Sequence, residues 1–112
     1  MAIDQSVFES LRFDKAGLIP AIIQSANDDR VLMMAWMNRE SWQETLTTGK
    51  VCYYSRSRKK LWRKGEESGN FLEVVNIKID CDNDTFLIKV KPFGNVCHTG
   101  SDTCWDEKND AF

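Results

Sequence analysis

Two short runs rich in apolar and branched side chains, residues 18–25 and 31–37, flank the turn-forming triplet Asn27-Asp28-Asp29. This pattern commits the chain to an antiparallel hairpin near its start. The second run is the longest unbroken apolar stretch, and its seven residues fall far short of the roughly 20 that a helix needs to cross a bilayer. Directly after it, Asn38 offers an N-cap, Glu40 a first-turn negative charge and Gly49 a left-handed stop, so a helix is expected over residues 39–48. Trp42 and Leu46, four apart, give that helix its apolar stripe. Residues 51–55 resume an extended pattern. Further on, Val75, Ile77 and Ile79 alternate with Asn76, Lys78 and Asp80, the two-residue period of a half-buried strand, and residues 86–90 mirror it across the polar turn Asp82-Asn83-Asp84-Thr85. The expected class is α+β: a mostly antiparallel sheet with one or two helices.

At 112 residues the chain fits one compact domain, expected over residues 1–112, with residues 106–112 as a polar tail. The start, Met1-Ala2-Ile3-Asp4-Gln5, lacks the charged and then apolar regions of a secretory signal, so a cytoplasmic location is expected, with no membrane association. In that reducing setting Cys52, Cys81, Cys97 and Cys104 are expected to serve as thiols and not as disulfides. Cys52, inside the apolar Val51-Cys52-Tyr53, reads as a small buried hydrophobe. The net charge of -2 supplies no global positive field, which argues against a general nucleic-acid binder.

Chemistry concentrates in three places. Asp80-Cys81-Asp82-Asn83-Asp84 sets carboxylates at alternate positions around a thiol. Strand geometry would put Asp80 and Asp82 on one face, able to share a hard cation, with Cys81 pointing away. The ordinary alternative is a solvated acidic turn. An EF-hand is excluded, since the sixth and twelfth loop positions are Thr85 and Lys91 in place of Gly and Glu. Cys97-His98-Thr99-Gly100-Ser101-Asp102-Thr103-Cys104 then holds two thiols and the only histidine. With Cys81 it offers three soft ligands and an open fourth position, whereas Cys52 or His98 completing the set would make a closed structural site. Finally, Arg56, Arg58, Lys59, Lys60, Arg63 and Lys64 crowd six positive charges into nine residues, interleaved with Tyr53, Tyr54 and Trp62, aromatics that read equally as core, and leading into Gly65-Glu66-Glu67-Ser68-Gly69. A solvated surface is the usual reading of such a run, but here the glycines allow close backbone approach, so an anchor for phosphates and a heterocycle is expected. Met33, Met34, Trp36 and Met37 read as core or subunit contact.

Three segments stand together in order: Ser55-Arg56-Ser57-Arg58-Lys59-Lys60-Leu61-Trp62-Arg63-Lys64-Gly65-Glu66-Glu67-Ser68-Gly69, Asp80-Cys81-Asp82-Asn83-Asp84 and Cys97-His98-Thr99-Gly100. With Ala35-Trp36-Met37-Asn38 they closely resemble the phosphoribosyl-AMP cyclohydrolase family of histidine biosynthesis over roughly residues 10–105. The departures are Trp105, where phenylalanine is expected, and Glu67, where threonine is common. The resemblance implies an intertwined homodimer, with zinc held by Cys81 of one subunit and Cys97 and Cys104 of the other, and magnesium at Asp80, Asp82 and Asp84. It implies phosphoribosyl-AMP as substrate, bound through Arg56, Arg58, Trp62, Lys64, Gly65, Glu66, Ser68 and Gly69. Zinc-activated water would attack C6 of the N1-phosphoribosylated adenine ring and open the N1–C6 bond, with His98 as proton carrier. Many relatives carry a second, pyrophosphohydrolase domain, which a chain of this length is not expected to hold. Two rival readings, a nucleic-acid-binding zinc module and a divalent-cation sensor, are weakened by the net charge and by the failed EF-hand positions.

Overall fold

The computed structural model describes residues 9–97 and 100–112. Strands β1 (Ile19–Ser25) and β2 (Val31–Met37) form the expected antiparallel hairpin, with Ile19 opposite Met37. Asp29 closes its turn in the left-handed region at φ 60°, a conformation that Asn and Asp tolerate better than most residues. Helix α1 (Arg39–Thr48) begins on a reciprocal cap: the Asn38 side chain accepts from the Ser41 amide and the Ser41 hydroxyl accepts from the Asn38 amide, each at 2.9 Å. It ends where Gly49, at φ 73°, donates its amide to the Thr45 carbonyl.

After α1 come β3 (Cys52–Ser55) and β4 (Lys60–Arg63), a two-stranded antiparallel hairpin. Then β5 (Leu72–Ile79) and β6 (Phe86–Pro92) pair antiparallel, and the larger sheet has the order β2-β1-β6-β5. Its centre is a parallel pair, β1 against β6, with Ala21 beside Phe86. The sheet is otherwise antiparallel, so the α+β class expected from the sequence holds. Residues 106–112 are not wholly irregular, since Asp106 caps a short 3-10 turn, Glu107–Asn109.

The inner sheet face supplies Ile19, Ala21, Ile23, Phe86, Ile88 and Val90, and α1 closes over it with Trp42. The Trp42 and Phe86 rings stack at 4.2 Å and 9°, and complete burial of side chains this size stabilises the fold by about 1.5–3 kcal/mol each. Thr45 ties α1 to β3, its buried hydroxyl accepting from the Cys52 amide at 3.0 Å. Among the described residues no helix is long and apolar enough to cross a membrane.

One strand departs from its expected pattern. Simple alternation puts Val75 on the inner face with Ile77 and Ile79, yet Val75 is 56% exposed and the buried positions before it are Leu72 and Val74. A bulge between Val74 and Asn76 inserts Val75 as an extra residue and shifts the alternation by one, so that two apolar phases both face inward.

Candidate active site

The acidic cluster sits at the end of the β5–β6 hairpin, in a turn and not on a strand. The Asn83 amide donates to the Asp80 carbonyl at 3.1 Å, Asn83 takes φ 65°, and the Asp84 amide donates to Asp80 Oδ1 at 3.0 Å. Strand alternation is therefore the wrong reason for the grouping of these carboxylates; the chain curls around Asn83 instead. The result is tight: one carboxylate oxygen each from Asp80, Asp82 and Asp84 lie within 4.8 Å of one another. Oxygens about 2.1 Å from a shared magnesium are at most about 4.2 Å apart, so small side-chain adjustments close the set around one ion. The crowding is already visible in the acidities. Hydrogen bonding to Asp84 and then Asp80 pushes the Asp82 carboxyl upward. Desolvation acts upward on Asp80 as well, but the Asp84 amide and neighbouring side chains outweigh it and leave Asp80 below the usual range. A hard divalent cation would relieve this repulsion, and the donor set fits one.

The thiols divide differently. Cys97 and Cys104 are half-buried neighbours within hydrogen-bonding reach of each other, and Cys104 is pushed upward by burial and then by Cys97, with the Lys64 charge acting in the opposite direction. Cys81 is exposed on the acidic turn. Among the described residues, Asp80, Asp82 and Asp84 are the only three His, Cys, Asp or Glu side chains close enough to share an ion, so one chain does not bring Cys81 to the other two thiols. Two thiols in contact are a donor pair suited to a soft metal ion. His98 lies outside the described residues.

Lys64 links this thiol pair to the basic hairpin. Its ammonium donates to the Val96 carbonyl and lies 5.6 Å from the Trp62 ring centroid. Burial lowers its pKa, while Cys104 and Cys97 act to raise it. A cleft of about 780 Å³ opens here, lined by Arg58, Trp62, Lys64, Gly65, Glu66 and Ser68, with Cys97 in the same wall. Arg56 faces an adjoining hollow, its guanidinium 4.7 Å from the centre of the Trp36 ring, and Gly69 lies outside the lining, its amide closing the loop onto the Gly65 carbonyl at 2.8 Å. At Gly65 the chain packs closely on itself: a Cβ there would lie 2.4 Å from the Phe71 amide nitrogen.

Two cleft residues carry no motif signal strong enough to single them out. Asn70 and Asn95 both line the wall. Asn70 occupies the space that any side chain at position 94 would need, with its Oδ1 2.1 Å from an ideal Cβ on Gly94. A run of Gly and Asn reads only as a turn; the packing of Asn70 on Gly94 needs the fold. Cys52 is 1% exposed and its thiol is pushed up to about 12 by burial and by Glu44, as a buried small hydrophobe requires.

A small α+β fold that joins a thiol pair to a basic cleft, with a carboxylate turn at a hairpin end, has the donor groups of a metal-dependent enzyme. The family model for phosphoribosyl-AMP cyclohydrolase matches residues 33–106. The histidine biosynthesis bifunctional protein HisIE of Bacteroides thetaiotaomicron is 60% identical over 101 residues, covering 89% of this chain and 50% of that protein, so the chain spans about half the length of this bifunctional relative. The phosphoribosyl-AMP cyclohydrolases of Chlorobium phaeovibrioides and Acidiphilium cryptum are 55% and 56% identical, covering 95% and 88% of this chain and 77% and 85% of their own lengths. The chain belongs to the phosphoribosyl-AMP cyclohydrolase family.

Proposed function

We propose that this chain hydrolyses phosphoribosyl-AMP in histidine biosynthesis. Water adds at C6 of the N1-phosphoribosylated adenine ring, the N1–C6 bond breaks, N1 takes the proton, and the oxygen from water becomes that of an imidazole carboxamide. The observation that carries this reading is one cleft lined both by the basic hairpin and by Cys97. Zinc, held by Cys97 and Cys104 with Cys81 of a second copy, would supply a water whose pKa falls from about 15.7 towards 7. Magnesium would be held by Asp80, Asp82 and Asp84.

The chain's own residues have distinct work. Arg58 and Lys64 neutralise substrate phosphate within the cleft, and Arg56 extends that field from its stacked position on Trp36. Trp62, 41% exposed, offers a ring face to the heterocycle. Glu66 and Ser68 present polar groups from the loop that Gly65 and Gly69 shape. His98 carries the proton to the departing N1. A homodimer also fits the outer sheet face, where Ile22 and Met34 stand opposite each other, 36% and 44% exposed. A cytoplasmic setting keeps the four cysteines reduced.

The test is ultraviolet-monitored ring opening of phosphoribosyl-AMP by the purified chain, as prepared, after chelation and after zinc and magnesium are restored. Turnover lost on chelation and regained with metal supports the reading. An unchanged substrate with folded, fully metal-loaded protein rejects it.

A further inference from the structure

We propose that Thr103 is a positioning residue that locks Cys104, and with it the thiol pair, to the core edge of the sheet; the proposal rests on the zinc reading above. The register of β1 against β2 runs Ile23 to Met33 and then Gln24 to Val31, so Leu32 is the extra residue of a bulge. A bulged residue is left out of the ladder, and its polar groups are free to bond elsewhere. The Leu32 carbonyl accepts from the Cys104 amide at 2.7 Å. Beside it the Thr103 hydroxyl donates to the Val31 carbonyl at 2.8 Å, with the Leu32 carbonyl at 3.2 Å, and accepts from the Trp105 amide at 3.1 Å. Thr103 is 8% exposed and Leu32 1%, so the hydroxyl is held against the interior at the edge of the sheet, with the exposed Val31 and Trp105 on either side.

The segment around Cys104 has no strand or helix of its own to hold it. Cys97 is reached from Cys104 through a closed loop in which the Cys97 amide donates to the Ser101 carbonyl at 3.0 Å. The position of that loop therefore depends on where residues 103 and 104 are anchored. Zinc–sulfur bonds of about 2.3 Å tolerate little wandering of the ligands, and a site performs when its side chains are held to within about 0.5 Å. A hydroxyl that bridges two backbone groups across the bulge gives that restraint. A methyl group in its place keeps the packing volume and removes the bridge that ties the Trp105 amide and the Val31 carbonyl to one atom.

The experiment compares the full-length protein with Thr103→Val and Thr103→Ser. Zinc affinity is read by competition with a chromophoric chelator, and the geometry of the thiolates by the absorption bands of bound cobalt(II). Thr103→Val should weaken zinc binding by about 10–100-fold, the usual effect of losing a group that orients a ligand, and should distort the cobalt spectrum; Thr103→Ser should restore both. Parent-like affinity and spectrum in Thr103→Val, or an equal loss in Thr103→Ser, overturns the proposal. Amide hydrogen exchange on the metal-free parent gives a check that needs no variant: slow exchange at Cys104 is expected, and exchange as fast as in an unstructured loop overturns it. A parent that binds zinc yet leaves phosphoribosyl-AMP intact rejects the substrate reading while this comparison still stands.

Discussion

The Lys64 ammonium is bonded to the Val96 carbonyl, one residue before Cys97, so a side chain of the basic hairpin is committed to the loop that carries the thiols. Its loss should be felt on both sides of the cleft. Lys64→Met should raise KM for phosphoribosyl-AMP and also weaken zinc binding, each about tenfold, because a buried carbonyl loses its partner and the thiolates lose a nearby cation. Steady-state kinetics alongside chelator competition separate the two effects. A rise in KM with zinc affinity unchanged would leave Lys64 as a substrate contact alone.

Three carboxylates around one turn make the metal-free protein work against itself. Magnesium should raise the melting temperature of the parent, since an ion bound by the folded form alone stabilises it. Asp82→Asn should abolish most of that rise while leaving the metal-free melting temperature equal or higher, because one member of a mutually repelling set becomes neutral. Thermal melts over a magnesium series check this. A parent that does not respond to magnesium would remove the ion from the Asp turn.

Gly65 and Gly69 are close in sequence and both have positive φ, 87° and 79°, yet only Gly65 is hemmed in. Gly69→Ala meets open space and should cost about 1 kcal/mol for the left-handed backbone. Gly65→Ala must also push aside the Phe71 backbone, and its cost in urea denaturation should exceed that of Gly69→Ala by at least about 1–2 kcal/mol. Equal costs would mean that the loop adapts freely.

Local chemistry explains which parts of this fold are legible without coordinates. Helix α1 is written in its own ends, Asn38 and Gly49, and the β1–β2 hairpin in the triplet between its strands. Strand β4 is hidden because Lys60 and Arg63 are exposed, and its partner-facing signal is a single aromatic pair, Tyr53 and Trp62, at 5.5 Å. The parallel pairing of β1 with β6 has no local signature, since alternation names a buried face but not a neighbour.

The candidate site divides along the same line. The three aspartates stand at alternate positions within five residues, and the turn around Asn83 gathers them. The thiols are gathered by distant elements: Cys104 hangs on a bulge at Leu32, which a smooth apolar run from Val31 to Met37 does not announce. Cys81 illustrates the opposite limit, because it stands exposed on the acidic turn and the fold of one chain does not gather it with the other two thiols.

The cysteines should also separate by reactivity. Cys52 is buried beside Glu44, which is itself held below the usual carboxylate range by its two-pronged pair with Arg63, at 2.7 Å for each contact. With its pKa raised to about 12 from 9.0, Cys52 stays a neutral thiol at pH 8, whereas Cys81 stands exposed on its turn. Alkylation of the metal-free protein at pH 8 should label Cys81 first and Cys52 only after denaturation, as peptide mass spectrometry would show. The sign of the linkage follows from the raised value: the folded state holds the proton more tightly than the unfolded chain. The contribution of Cys52 is therefore intact below about pH 9 and is lost as the pH rises towards about 12. Cys52→Ala should remove that part of the alkaline loss of stability, and an unchanged alkaline unfolding curve would show that the thiol is not the group responsible.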